Sequence, residues 1–465
     1  MDDYADAAHA AVELLAEHVA EARTGFGPVN VRPEPDELAE QLELGRWIEQ
    51  GGMDATALEQ WLPRYLDATV RLHHPGSMAH QVAVPSTGAA VADLIHGATN
   101  NPMAIYEMGA AGATIERAVV SWMLDKVGFG PGSDGVLTHG GSLANLTALL
   151  AARARVAPDA WRFGTPGDLA LLAPPSAHYS VRRAAAILGL GEDAVLELEV
   201  DELERIRPER LGDALERCRA AGRRPLALVA PACATSTGLF DDLRSIGGFC
   251  REHGIWLHVD AAHGASALLS ERHRGLLDGI ELGDSVIWDA HKLLRTSGLC
   301  AAVLVRRGEE LPGAFRQSGD YLFNDNESVG FDLLDRALET TKTTMGLKLF
   351  LSLAWAGERG LGEYVASRFD AARRFHDLLA DESDVSLPYV PESNILCFRL
   401  GDGDQLALRD GALAEGRLHF GSTTVNGERY LRLVVTAPDT GDATLRELLA
   451  TLRAMPQATA ATVPT

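Results

Sequence analysis

The residues of this chain that can do chemistry fall at the ends of short apolar runs. Lys292 closes Ser285-Val286-Ile287-Trp288-Asp289-Ala290-His291-Lys292, and an amine so placed can attack a carbonyl to form a Schiff base. Asp260 ends Ile255-Trp256-Leu257-His258-Val259-Asp260, where a carboxylate is costly to bury unless a cationic group meets it. His178 follows another apolar run, at the strand end where open α/β sheets bind ligands. Gly140-Gly141-Ser142 opens a helix over 143–155; its glycine backbone, the Ser142 hydroxyl as cap or donor, and the positive helix end form a cradle for an anion. Each feature also has a plain structural reading, as a loop lysine, a helix cap or a core histidine. Together, an anion cradle, a ring to stack, a carboxylate and an amine are the parts that pyridoxal phosphate requires.

Other candidates are weaker. Cys233-Ala234-Thr235-Ser236-Thr237-Gly238 follows a further strand, and its hydroxyls suit a turn or a ligand equally. The glycines at 140–141 lack the Lys-Ser/Thr ending of a nucleotide P-loop, and Gly189-Leu190-Gly191 lacks the third glycine of a dinucleotide fingerprint. His253, His258 and His263 recur every five residues, but no fourth ligand stands nearby, and no metal is expected.

Buried strands separated by helices must hold these groups. Apolar runs at 135–138, 169–172, 226–230, 255–259, 285–288 and 301–305 read as buried strands, several with apolar residues on both sides of the pleat, which predicts an α/β layer with a mostly parallel central sheet. Before it, helices are expected over the first 25 residues, 36–49 and 54–70; Ala8, Val12, Leu15, Val19 and Ala22 make an apolar stripe on the first. After Lys342 the pattern predicts a long helix from Met345 to about Ala380, strands at 394–400 and 430–435, and a last helix over 442–455. The expected division is an N-terminal helical segment (1–80), to which the family resemblance given below assigns dimerisation, a large cofactor-binding α/β domain (81–345), a small C-terminal α+β domain (346–455) and a mobile tail (456–465).

The 465 residues are 46% hydrophobic and 23% charged, an ordinary globular composition. With 42 Lys and Arg against 65 Asp and Glu, the net charge of −23 repels nucleic acid and anionic membranes. Five cysteines without paired spacing, and an opening MDDYADAAHA that lacks the regions of a secretory signal, predict a cytoplasmic protein.

The segments THGGSLANLTALLAAR, AHYSVRRAA, WLHVDAAHGA, DSVIWDAHK, SNILCFRL and LRLVVTAPDT resemble the group II pyridoxal-phosphate-dependent amino acid decarboxylases, over about residues 70–450. The resemblance implies fold type I, the aspartate aminotransferase-like fold of pyridoxal-phosphate-dependent transferases. It makes Lys292 the cofactor lysine, Asp260 the partner of the ring nitrogen and His178 the stacking ring. Gly141, Ser142 and His291 would hold the phosphate, Thr235 and Ala262 would border the ring, and Arg432 and Gln81 would lie near the substrate carboxylate. The activity implied is α-decarboxylation of an L-amino acid, with wording nearer the glutamate, cysteine sulfinate and diaminobutyrate branch than the aromatic one. A homodimer with its active site near the interface is also implied.

Two departures from the family pattern stand out. Cys233-Ala234-Thr235 replaces a frequent Gly-Thr-Thr. The stretch 323–332, where many members carry a proton-donating tyrosine, has none; Phe331 aligns there, and Tyr321 lies just before. A phenyl ring donates no proton, so the alternative product is an aldehyde, made by oxidative deamination with dioxygen. A shifted loop, with water or His178 as donor, keeps the product an amine. A non-catalytic cofactor-binding partner protein is disfavoured because Lys292 and Asp260 are both present.

Overall fold

Alternate side chains of each apolar run enter opposite layers: in Ser285–Asp289, Val286 and Trp288 pack into one core and Ile287 into the other. The computed structural model describes residues 4–315 and 330–455. Its strands, in chain order, are β1 (Ser77–Met78), β2 (Asp134–Thr138), β3 (Leu169–Ala173), β4 (Val195–Glu197), β5 (Arg224–Pro231), β6 (Leu257–Asp260), β7 (Ser285–Asp289), β8 (Ala301–Val305), β9 (Val385–Ser386), β10 (Ile395–Leu400), β11 (His419–Val425) and β12 (Glu428–Val434). The larger sheet runs β2-β8-β7-β6-β5-β3-β4, and the smaller runs β1-β11-β12-β10-β9.

The larger sheet is mostly parallel, as expected. β8 is the exception, pairing antiparallel with both β2 and β7. Helix Gly141–Val156 lies against this sheet with every residue from Ala144 to Ala152 buried. Such a helix carries little amphipathic pattern, because it is covered all round.

Several boundaries differ from the sequence reading, each for a local reason. The segment 36–49 is two helices, Pro35–Gln41 and Leu44–Gln50, broken at Glu43, whose φ of 51° leaves the helical region. The helical run Met345–Ala380 is interrupted at Gly357, with φ 70° and ψ 163°, a conformation that glycine adopts without a Cβ penalty. β6 begins at Leu257 rather than residue 255, because Gly254 ends the preceding helix in the left-handed region and two residues carry the chain to the sheet. β4 and β11 were not anticipated: β4 is three residues long, and β11 is polar and half-exposed. The segment after the N-terminal helices joins the small sheet, since β1 pairs parallel with β11. The tail at 456–465 and Tyr321 lie outside the described residues.

One buried ion pair fixes β2 beneath the site. Lys342 Nζ donates to Glu116 Oε1 at 2.5 Å and to the Leu137 carbonyl at 2.7 Å, while the Leu137 N–H donates to the same Glu116 oxygen at 3.0 Å. The two side chains are 2% and 1% exposed. Lys342→Met leaves Glu116 as an uncompensated buried charge, and we expect a loss of about 3–5 kcal/mol, read as a lower urea midpoint at fixed protein concentration.

Candidate active site

The parallel strands deliver their carboxyl ends to one edge of the larger sheet, with Pro231 opposite Asp260 and Asp260 opposite Ile287. The turns beyond those ends enclose a cavity of about 290 Å³. Gly141, Ser142, His178, Thr235, Asp260, Ala262, His291, Lys292 and Gln81 all line it, so residues up to 211 positions apart in sequence meet at one place. Gln81 arrives from the segment after β1, held by the Ala83 N–H donating to the His291 carbonyl at 3.2 Å.

Two expected residues stand elsewhere. Arg432 does not line the cavity; its buried guanidinium donates to the carbonyls of Thr235 at 2.7 Å, Ser236 at 3.3 Å and Ala79 at 3.3 Å, tying two wall segments together from behind. Phe331 lies 5.7 Å from the Tyr106 ring with the Arg117 guanidinium 5.0 Å over its own, beside a separate cavity of about 510 Å³. Ser142 was read as either a helix cap or a hydroxyl donor. The cap is instead Gly140, at φ 99° with no side-chain bond, which leaves the Ser142 hydroxyl exposed at the cavity.

Lys292 Nζ lies 3.2 Å from Asp289 Oδ2, which also stands 3.5 Å from His291 Nε2. The Asp260 oxygens accept from Asn145 Nδ2 at 3.0 Å and from the Ala262 N–H at 3.3 Å. Burial is the largest influence on His178 and lowers its pKa below the usual imidazole value, against the opposing pull of Asp260. Burial likewise takes His258 down to about 4 and His263 to about 3, so both rings are neutral near pH 7. The buried Cys233 thiol is pushed up to about 12 and stays protonated; it is no nucleophile.

The cavity fits pyridoxal phosphate. A Cβ built at Gly141 would lie 2.7 Å from Asp289 Oδ2, so only glycine keeps the cradle open; the first-turn N–H groups behind it have no intrahelical acceptor. Asp289 Oδ1 and His263 Nδ1, on lining residues, are buried without a hydrogen-bond partner among the described residues.

Sequence reasoning missed Asn145, His139, Asp289 and His263 as lining residues. Asn145 carried a signal, being a polar side chain inside an otherwise apolar helical run. His139 carried none: its ring Nδ1 meets Glu339 at 2.5 Å across about 200 residues of sequence.

Residues 56–401 match the family model described as the pyridoxal-dependent decarboxylase conserved domain. Human cysteine sulfinic acid decarboxylase is 33% identical over 78% of this chain and 74% of its own length. The L-2,4-diaminobutyrate decarboxylase of Acinetobacter baumannii is 27% identical over 85% of this chain and 82% of its own. The crystal structure of mouse CSAD in apo form superposes with a TM-score of 0.86 at 28% identity, covering 95% of this chain and 98% of that one. The fold is therefore the fold type I of these enzymes, and the chain belongs to the pyridoxal-dependent decarboxylases, lyases that use pyridoxal phosphate to remove the α-carboxylate of an amino acid as CO2.

Proposed function

We propose that the substrate is an L-amino acid with a short polar side chain, acidic or diamino, and that the product is its amine. The observation that carries this reading is the single cavity in which Lys292 faces Asp260, His178 and the Gly141-Ser142 cradle; the substrate class is supported by the relatives that act on cysteine sulfinic acid and diaminobutyrate. Lys292 is the attachment point of the cofactor. The Gly141 and Ser142 backbone, the Ser142 hydroxyl and His291 hold its phosphate, while His178 stacks on its ring and Thr235 and Ala262 border it. Asp260 holds a proton at the ring nitrogen. Bound there, the cofactor supplies a sink for the electron pair left when CO2 departs. Gln81 meets the substrate, and Arg432 keeps the Thr235 and Ala79 segments in place around it.

The position of Phe331 outside the cavity, and the activities of the relatives, favour protonation over oxidation. Purified protein with pyridoxal phosphate, incubated in air with glutamate, aspartate, cysteine sulfinate and diaminobutyrate, is expected to give an amine without peroxide by mass spectrometry. An aldehyde with peroxide refutes that reading.

We further propose a cytoplasmic homodimer. No described helix is long and apolar enough to cross a membrane, and all five cysteines are unpaired and buried, which suits a reducing compartment. Within one chain, helix Tyr4–Arg23 packs on helix Ala55–Asp67 but leaves Val12 and Leu15 exposed. Helix Thr87–Thr99 and the helical run from Met345 likewise pack together while exposing Leu94, Ile95, Phe350 and Trp355. A second copy covers such surfaces. Light scattering after size exclusion should give twice the 49.7 kDa chain mass; a monomer rejects the proposal.

A further inference from the structure

One amide near the floor of the cavity touches Asp260 and reaches His178 through Ser180. Asn145 sits in the first turns of helix Gly141–Val156, 1% exposed. Its Nδ2 donates to Asp260 Oδ2 at 3.0 Å and to Ser180 Oγ at 2.9 Å. A carboxylate oxygen accepts, so the amide nitrogen, not the oxygen, must face Asp260. Asn145 Oδ1 then faces His258 Nε2 at 2.7 Å, and that nitrogen must carry the hydrogen.

The chain of donors continues in both directions. Because Nε2 of the neutral His258 is protonated, its Nδ1 accepts, and the partner is Ser285 Oγ at 2.8 Å. Ser285 Oγ in turn accepts from Trp256 Nε1 at 2.9 Å. Indole nitrogen only donates, so Ser285 Oγ accepts there and keeps its own hydrogen for His258 Nδ1, in agreement with the direction set at Asp260. On the other side, Ser180 Oγ lies 2.7 Å from His178 Nδ1, and the Ser180 backbone N–H donates to the same nitrogen at 3.3 Å. A backbone N–H can only donate, so His178 Nδ1 accepts; the Ser180 hydroxyl hydrogen is directed to the same nitrogen, and its oxygen accepts from Asn145. The neutral ring thus carries its hydrogen on Nε2.

We propose that Asn145 is a positioning residue that reaches both sides of the cofactor site with a single amide, pinning one oxygen of Asp260 and holding in place the Ser180 hydroxyl that donates to His178 Nδ1. His258, Ser285 and Trp256 hold that amide in the one orientation that allows it. A buried amide with both ends satisfied does not flip, because either end reversed would oppose two donors or two acceptors. The proposal rests on the reading that Asp260 meets the ring nitrogen.

Full-length protein stripped of cofactor is titrated with pyridoxal phosphate and with its 1-deaza analogue, in which carbon replaces the ring nitrogen. Asn145→Ala should weaken pyridoxal phosphate by about tenfold and the analogue by less than about twofold. Any effect through His178 is common to the two ligands and cancels in the ratio. Equal losses for both, or no loss for either, overturn the proposal. Asp260→Asn is titrated alongside. If it too fails to discriminate the ligands, the assignment of Asp260 to the ring nitrogen is wrong; if it discriminates and Asn145→Ala does not, only the role of Asn145 falls. A second measurement needs no altered amide: the ring ¹⁵N shifts of His178 in the unsubstituted protein, assigned by the signal lost in His178→Gln. Hydrogen on Nε2 supports the proposal, and hydrogen on Nδ1 overturns it even if Asn145→Ala does not fold.

Discussion

Lys292→Ala yields a colourless protein: the visible band of bound cofactor disappears, and turnover falls on the order of 10⁴-fold or more. The expectation follows from the contents of the cavity. Among the described residues that line it, Lys292 is the one primary amine, so no neighbour can replace it as a covalent anchor. Its loss also strips Asp289, whose Oδ1 already has no partner among the described residues and whose Oδ2 meets Lys292 at 3.2 Å. Removing one partner of a buried pair costs about 3 kcal/mol, so the alanine variant alone confounds chemistry with stability. Lys292→Arg separates them. A guanidinium stays charged beside Asp289 yet forms no Schiff base under ordinary conditions, so this variant should unfold near the parent temperature while remaining colourless. A Lys292→Arg protein that keeps the band and the activity removes Lys292 from the role.

The strands of the larger sheet were legible because strands buried on both faces read as unbroken apolar runs, and six of its seven were anticipated. β4 was not, since a three-residue edge strand buries too little to leave a pattern. β11 was hidden for another reason. It alternates polar and apolar residues weakly, and its pairing partners, β1 and β12, lie far before and just after it in sequence. Lys292, Asp260 and His178 stood out because each is polar at the end of an apolar run. Asn145 shows where such reading stops. Its polarity was visible, but its purpose depends on Asp260 and His258, more than 110 residues away. Arg432 shows the converse: a conspicuous cation between apolar neighbours proved to serve three backbone carbonyls.

Asp260→Asn preserves the fold and the bound cofactor yet reduces turnover on the order of 10³-fold. The substitution is close to isosteric, and the site is 9% exposed, so little packing changes. What changes is hydrogen bonding and charge. Both Asp260 oxygens accept, one from Asn145 Nδ2 and the other from the Ala262 N–H. An amide supplies one acceptor and one donor, so in either orientation a donor faces a donor, at a cost of about 1–3 kcal/mol. The new amide would carry no negative charge to hold a proton at the ring nitrogen, where we propose Asp260 acts, and the electron sink that the bound cofactor supplies would be weaker. The binding contribution should be small beside this, because the proposed phosphate cradle at Gly141 and Ser142 and the proposed anchor Lys292 are unchanged. The expected signature is therefore a protein that retains its visible band, with a modest drop in unfolding temperature, and a kcat that collapses far more than the cofactor affinity. A kcat within tenfold of the parent would show that the proton at the ring nitrogen is held by another group, and the chemistry of the site would then have to be rebuilt without Asp260.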